Sequence, residues 1–440
     1  MDNKKSQDLN TIDRRDFFRK AAAVSATALA GTSLLANESA GEGDPAIMHH
    51  TKWGQKWGDP VTKNQYGIPS AYEHNVIRRS TKLLASGNFR ASIAVTPIHE
   101  SQGIITPNGL FFSRSHGGTA HVDPNEYRLM IHGLVEKPIV LTLAELKRYP
   151  SVTRTHFIEC PANGGQEWRG PQFNSVQFAK GFMASAEWTG VYIKTILEDL
   201  GLKPTAQWML AEGSDNSKMG RTIPVDKVLD DAMIVWGQNG EALRPEQGYP
   251  VRLLVPGWEG NLCVKWLRRL EFSQEPWYCK EETSKYTDLK PTGKAIQHFY
   301  ANEVNSTVTS PSPELPWTDL KEGDVVEIEG LAWSGMGTIK AVDLSFDGGK
   351  NYVNANLKGL VLSKSWTRWS YMFTIPKNFQ LNGKQLLLTS RAIDDAGYIQ
   401  PTIDQEIGIM GVEAVYHRNA VETWEVTEEG KVNHVQIRSV

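Results

Sequence analysis

The chain has 440 residues, room for two or three domains, and its composition (40% hydrophobic, 22% charged) is that of a folded globular protein. Its 47 Lys and Arg against 50 Asp and Glu leave a formal charge of -3, without the basic excess that nucleic-acid binding requires. Three cysteines (Cys160, Cys263, Cys279) are too few for a disulfide framework or an iron–sulfur cluster held by this chain alone, and no Cys-x-x-Cys-His marks a c-type haem. Electrons from any redox chemistry here must leave through another chain.

At the N-terminus, Arg14-Arg15-Asp16-Phe17-Phe18 precedes a small-residue, uncharged run from Ala21 to Ala36. That run falls short of the roughly twenty residues a membrane-spanning helix needs. Residues 1–40 therefore read as a signal peptide with an exit near Ala36 or Ala40. The paired arginines resemble a twin-arginine signal, which serves proteins that fold, often around a cofactor, before export. A periplasmic protein with no membrane span in its mature form is expected; an ordinary amphipathic N-terminal helix is the alternative. Residues 41–108, with Trp53 and Trp57 in loosely repeated Trp-Gly steps, read as an irregular arm, and a helix is predicted over 71–85.

From Gly109 the pattern tightens. In Phe112-Ser113-Arg114-Ser115-His116 an extended backbone places Arg114 and His116 on one side. Arginine can clamp an oxyanion bidentately and histidine can hydrogen-bond a phosphate or a heterocycle edge; a surface loop with a stray arginine is the other reading. Tyr127 to Gly133 alternates as a strand, and Thr142-Leu143-Ala144-Glu145 is a capping-box helix start. A strand from Val152 to Glu159 then delivers Cys160 into the turn Pro161-Ala162-Asn163-Gly164-Gly165. A thiolate at a strand end before a glycine-rich loop suits a metal ligand facing a bulky cofactor; a half-buried structural cysteine reads equally from this stretch. A helix over 191–201, a strand over 208–212, a hairpin turn at Asn239-Gly240 and a strand over 250–256 follow without the regular alternation of a doubly wound sheet, so the class is mixed α+β.

Four pieces stand in order over this region: Phe112-x-Arg114-x-His116, Glu159-Cys160-x-x-Asn163, Gly248-Tyr249-Pro250-Val251-Arg252 with Val255-Pro256-Gly257, and Val264-Lys265-Trp266-Leu267. Together they resemble the molybdenum–pterin domain of the sulfite oxidase family. The resemblance implies one pyranopterin cofactor with its molybdenum bound by two dithiolene sulfurs, oxo groups and Cys160. It places Phe112, Arg114 and His116 on the pterin and metal face. Asp215, Gln247, Arg252, Cys263, Val264 and Lys265 would hold the pterin and its phosphate, with Cys263 a packing or backbone contact. Tyr286 stands where the family has a tyrosine beside the substrate, so Cys160, Arg114 and Tyr286 are the expected catalytic group. Aromatic packing is the other reading of Tyr286.

The departures bear on substrate. Enzymes of the family that act on free sulfite carry an arginine five residues after the cysteine, where this chain has Gly165; their pterin-contacting histidine is Gln247 here, and a late substrate arginine aligns with Met410. Each charge-assisted hydrogen bond is worth about 1.5–3 kcal/mol, so losing two cations weakens capture of a small free dianion. The segments Cys160 to Gly170 and Glu282 to Thr287 resemble the branch that supplies the SoxC-type molybdenum subunit of sulfane (sulfite) dehydrogenase. That branch implies a sulfane sulfur carried as a persulfide on a carrier protein's cysteine, a separate cytochrome c subunit as electron acceptor, and Gly165 as an opening for the carrier's arm. The alternatives are a sulfite dehydrogenase acting on free sulfite, an oxyanion reductase on the same scaffold, and a non-catalytic binding or scaffold protein.

Residues 301–316, rich in Ser, Thr and Pro, read as a linker after a domain of 109–300. Short alternating strands over 324–331, 339–346, 369–375 and 385–394, with a tight hairpin signal at Asp347-Gly348-Gly349, argue for a β-sandwich over 317–440. Its pattern resembles the immunoglobulin-like domain through which the family dimerises.

Overall fold

The computed structural model describes residues 59–60, 63–80, 92–283, 285–296, 300–318, 320–376 and 385–438; the expected twin-arginine signal lies outside them. The chain divides into two compact units, Met1–Glu73 and His74–Val440. In the first, the predicted helix is reduced to a single 3-10 turn, Ala71–Glu73. Residues 74–80 are not helical and 81–85 lie outside the described residues. Asn75 competes for backbone groups, and the β-branched pair Val76-Ile77 costs side-chain freedom in a helix.

In the second unit an antiparallel sheet and a mixed sheet carry the expected strands. One orders Glu241–Ala242, Met233–Gln238, Met183–Tyr192 and Val152–Glu159, with Arg252–Leu254 also paired to Met233–Gln238. The other orders Ile139–Thr142, Arg128–Gly133, Leu267–Ser273, Trp208–Gly213 and Gly220–Pro224. Only the pairing of Leu267–Ser273 with Arg128–Gly133 is parallel. The Thr142 capping box forms as read, though its helix is just Leu143–Leu146. Asn239 (φ 50°) and Gly240 (φ 77°) make the tight hairpin, and Ile193–Leu200 is the amphipathic helix whose Ile193, Ile196, Leu197 and Leu200 are buried.

The C-terminal part is two antiparallel sheets sharing a core. One orders Asn305–Ser310, Val325–Trp333, Thr367–Thr374 and Asn356–Lys358; the other Val353–Asn354, Ile339–Ser345, Leu386–Asp394, Thr423–Val426 and Val432–Val435. Trp333, Trp366, Trp369 and Trp424 fill the space between them. Gly330 lies flat under Trp369, where a Cβ would stand 2.1 Å from the indole. Two expectations need correction. Residues 301–316 are not a free linker: Asn305–Ser310 pairs with Val325–Trp333 and is buried along almost all its length, its Ser306 hydroxyl satisfied by Ser390 and Gln400. The Asp347-Gly348-Gly349 turn is wider than a tight hairpin, closing only at Val353 after the Asp347 carboxylate accepts from the amides of Lys350 and Asn351.

The two parts are joined by backbone as well as side chains. Trp333 donates its indole N–H to Glu159 Oε2 at 2.7 Å, and His417 donates its amide to the Pro161 carbonyl at 2.8 Å. Gly335 packs so tightly that an added Cβ would lie 1.8 Å from the Gly257 carbonyl oxygen and 2.7 Å from that of Asn302. Those neighbours are backbone and cannot swing away. Gly335→Ala is therefore expected to destabilise the chain by about 1–3 kcal/mol, read as a lowered midpoint in urea unfolding; an unchanged midpoint would show that the contact yields freely.

Candidate active site

The strand Val152–Glu159 ends at Cys160, whose amide donates to the Phe182 carbonyl at 2.9 Å and whose carbonyl accepts from the Asn163 amide at 2.9 Å. Gly164 takes the left-handed conformation (φ 71°) that turns the loop. Behind it the Glu159 carboxylate accepts from Asn163 Nδ2 at 2.8 Å and from Trp333, so the thiol is aimed by a loop fixed on its far side.

Cys160 opens into a cavity whose walls include every residue singled out in the sequence as catalytic or cofactor-binding: Phe112, Arg114, His116, Cys160, Asp215, Gln247, Arg252, Cys263, Val264, Lys265 and Tyr286. Segments from 112 to 286 converge here. Gln247 donates Nε2 to the Phe112 carbonyl at 2.9 Å, and Arg252 donates Nη1 to the Gln247 carbonyl at 3.1 Å and Nη2 to the Cys263 carbonyl at 2.9 Å. Lys265 Nζ donates to the carbonyls of Arg114 (3.1 Å) and Glu246 (2.9 Å). Cys263 Sγ accepts from the Val255 amide at 3.3 Å, which makes it a packing thiol.

Electrostatics identify what the cavity lacks. Arg114, Arg252 and Lys265 face it, while Asp215 is the one carboxylate among its lining residues. Burial pushes Arg252 down to about 10, and burial together with the Arg252 guanidinium holds Lys265 down to about 7. Arg252 Nε is buried with no partner. Such a donor set fits a large anionic ligand rich in acceptors. Burial raises the Cys160 thiol to about 11, so it needs a metal to hold it as thiolate. Among the described residues no group of three or more His, Cys, Asp or Glu could hold a metal ion.

The face opposite the cations is aromatic. His116 Nε2 lies 2.8 Å from the Tyr286 hydroxyl, and burial with the nearby Arg114 charge lowers the imidazole to about 4, leaving it neutral at physiological pH. Burial raises the Tyr286 phenol well above its ordinary value, so it remains a protonated donor. Two lining residues, Trp266 (φ 51°) and Tyr286 (φ 55°), hold left-handed backbone conformations. For bulky non-glycine residues these cost about 1–3 kcal/mol each and persist where surrounding structure enforces them.

Two sequence expectations about substrate access are corrected. Gly165 is not an opening: a Cβ there would meet the Val415 carbonyl oxygen at 2.2 Å, so the glycine lets the loop pack against the C-terminal part. Met410 points away from the cavity, into a small apolar cluster with Trp168 and Ala414. Neither is a cavity-lining residue. Sequence reading missed Trp266, whose conformation has no local signal, and Arg221. The latter lies buried beneath Tyr286, a charge in a buried strand, which no local sequence signal marks.

A solved structure of the sulfane dehydrogenase SoxCD from Paracoccus pantotrophus superposes with a TM-score of 0.86 and 44% sequence identity, over 90% of this chain and 100% of that one. The chain belongs to the sulfite oxidase family of molybdenum–pterin oxidoreductases. Its family matches are an oxidoreductase molybdopterin binding domain over residues 116–280 and a Mo-co oxidoreductase dimerisation domain over 296–424. Mitochondrial sulfite oxidase of Rattus norvegicus is 28% identical over 327 residues, and sulfite oxidase of Gallus gallus 29% over 326, each covering 68% of this chain. The chain spans 58% of the length of the rat enzyme and 69% of the chicken one. The NADH nitrate reductase of Ulva prolifera is 29% identical over 284 residues, 57% of this chain and 32% of that protein. Membership implies a molybdenum–molybdopterin cofactor and oxidoreductase chemistry for the chain.

His116 supplies a test of the site's electrostatics. Its folded-state value lies below the ordinary 6.5, so the unfolded chain binds the proton first, and the stability present above about pH 6.5 is lost progressively as pH falls towards 4. In cofactor-free protein, 15N NMR of the His116 ring is expected to give a midpoint near 4; a midpoint of 6.5 or above would mean an open, hydrated site.

Proposed function

We propose that this chain is the molybdenum-cofactor subunit of a periplasmic sulfane dehydrogenase within a thiosulfate-oxidising system. In this reading it oxidises sulfane sulfur borne as a persulfide on a carrier protein's cysteine and passes electrons to a separate cytochrome c subunit. The observation that carries the reading is the 44% identity to a sulfane dehydrogenase over the whole of that chain, against 28–29% to the sulfite oxidases. The sequence agrees with it in one respect: the positions where the resemblance puts the cations of free-sulfite enzymes hold Gly165 and Met410. Twin-arginine export of residues 1–40, domains over 109–300 and 317–440, an immunoglobulin-like C-terminal sandwich and dimerisation through it complete the reading.

When bound, the cofactor supplies two-electron oxidation of sulfur with oxygen drawn from water. The chain's residues do the rest. Cys160 ligates the metal. Arg252, Lys265, Gln247 and Asp215 hold the pterin and its phosphate, with Phe112, Cys263 and Val264 packing around them. Arg114 offers a fixed cation to an oxyanion forming beside the thiolate. Tyr286 donates its phenolic proton towards the substrate and is steadied by the neutral His116.

A sulfite dehydrogenase acting on free sulfite is the second reading, favoured by the intact Arg114, His116 and Tyr286. With cytochrome c as acceptor, persulfide-loaded carrier is expected to turn over well and free sulfite poorly; rapid turnover of micromolar sulfite would reverse the assignment. Cys160→Ser is expected to abolish turnover while leaving the unfolding midpoint near that of the parent, and full activity in that variant would end the ligand role.

A further inference from the structure

Tyr286 is gripped from behind by a closed circuit of contacts that includes the C-terminal part of the chain. The Arg221 guanidinium lies 5.3 Å from the centre of the Tyr286 ring, on the side away from the cavity lining. Its Nη1 pairs with Glu259 Oε2 at 3.4 Å and its Nε with Glu282 Oε1 at 3.4 Å. Glu282 is itself fixed by the Thr222 amide at 2.6 Å and hydroxyl at 3.1 Å. Glu259 Oε1 lies 2.8 Å from His417 Nε2. The neighbouring Tyr416 returns to the start, its ring 5.2 Å from that of Tyr286. The Asp288 carboxylate accepts the amides of Val415 and Tyr416 at 3.0 and 3.2 Å, so this return segment is held as well.

Three full charges are thereby buried almost completely: Arg221, Glu259 and Glu282 are each about 1% exposed or less. Burying ions is costly, and an apolar cluster would pack as well. The circuit also holds two strained residues, Tyr286 at φ 55° and His417 at φ 58°. Strain and buried charge meeting behind one side chain of the active site point to a positional demand at that side chain.

We propose that Arg221, locked by Glu259, Glu282 and His417, is a positioning residue that fixes the Tyr286 phenol at the cavity wall, and that the C-terminal part contributes to the active site through Tyr416 and His417. The guanidinium attracts the face of the phenol ring and restrains its tilt, and the His116 hydrogen bond then fixes the hydroxyl. The role of Tyr286 in turnover rests on the proposed function; its placement by Arg221 does not.

The test uses cofactor-loaded, full-length protein with two independent readouts. Arg221→Met is expected to lower kcat about tenfold with KM within about twofold, and the double variant Arg221→Met/Tyr286→Phe to be no slower than Tyr286→Phe alone. Arg221→Lys keeps a cation under the ring and is expected to recover part of the loss. For the second readout, 3-fluorotyrosine at position 286 is followed by 19F NMR. Its line is expected to shift and broaden in Arg221→Met and in Glu259→Gln, but not in Arg391→Met, which removes a remote cation from above Tyr352. Glu259→Gln keeps the test open should Arg221→Met fail to fold. Fully additive kinetic losses, or a 286 line unmoved in both circuit variants, would overturn the proposal. If wild-type protein fails to oxidise the persulfide, the 19F result still decides the placement while the proposed substrate falls.

Discussion

The Glu159 carboxylate is the constraint on which the site depends. It lies beside Cys160 and is buried, and burial raises its carboxyl above the ordinary range against the pull of its two donors. Those donors come from opposite directions: Asn163 from the loop itself and Trp333 from the C-terminal sheet. A buried acceptor left without partners costs about 1–3 kcal/mol, more when charged, so the loop and the sheet must take up one relative arrangement to satisfy it. The Gly260 amide adds a bond to the Glu159 carbonyl at 2.6 Å, and glycine is required there because a Cβ would come within 2.8 Å of that oxygen. The thiol's direction is thus decided by Glu159, Asn163 and Trp333, none of which lines the cavity.

The cavity carries the opposite kind of polarity. Its cations are held by backbone carbonyls in place of carboxylates: Arg252 by those of Gln247 and Cys263, Lys265 by those of Arg114 and Glu246. Carbonyls fix a guanidinium or ammonium group without neutralising it, and the residual charge remains available to an anion. Burial depresses Lys265 and Arg252 for the same reason: a cation screened from water is costly to hold without an anion beside it.

Much of this was legible in the sequence because the site is assembled from short local segments with strong chemistry. Cys160 before a glycine turn, Arg114 two residues before His116, and Arg252 all reach one cavity, although the strand read over 250–256 forms only as Arg252–Leu254. Strands with clear alternation and the Thr142 capping box were equally readable, since both are set by neighbours a few residues away. What failed concerned contacts between distant segments. Gly165 looked like an absence of side chain facing solvent, whereas its neighbour is the carbonyl of Val415, some 250 residues on. Met410 was placed by alignment of pattern, but the helix Ile403–Met410 turns it towards Trp168. The strand at Asn305 was hidden by serine and threonine, which mark loops in water and form strands once their hydroxyls find partners, as Ser306 does with Ser390 and Gln400. Arg221 escaped because its significance lies wholly in what it stacks against.

The contact of Gly335 with Gly257 has a consequence for how this architecture can be inherited or rebuilt. Two glycines from the two halves of the chain meet backbone to backbone, with no side chain to buffer a mismatch. Around that seam the C-terminal half also supplies the indole for Glu159 and the ring that closes on Tyr286. A recombination event or a chimaera joining the first half of this chain to the second half of a relative would have to match all three at once. The unit that can be exchanged without loss is therefore the pair of domains together, whatever the looseness of the sequence between them.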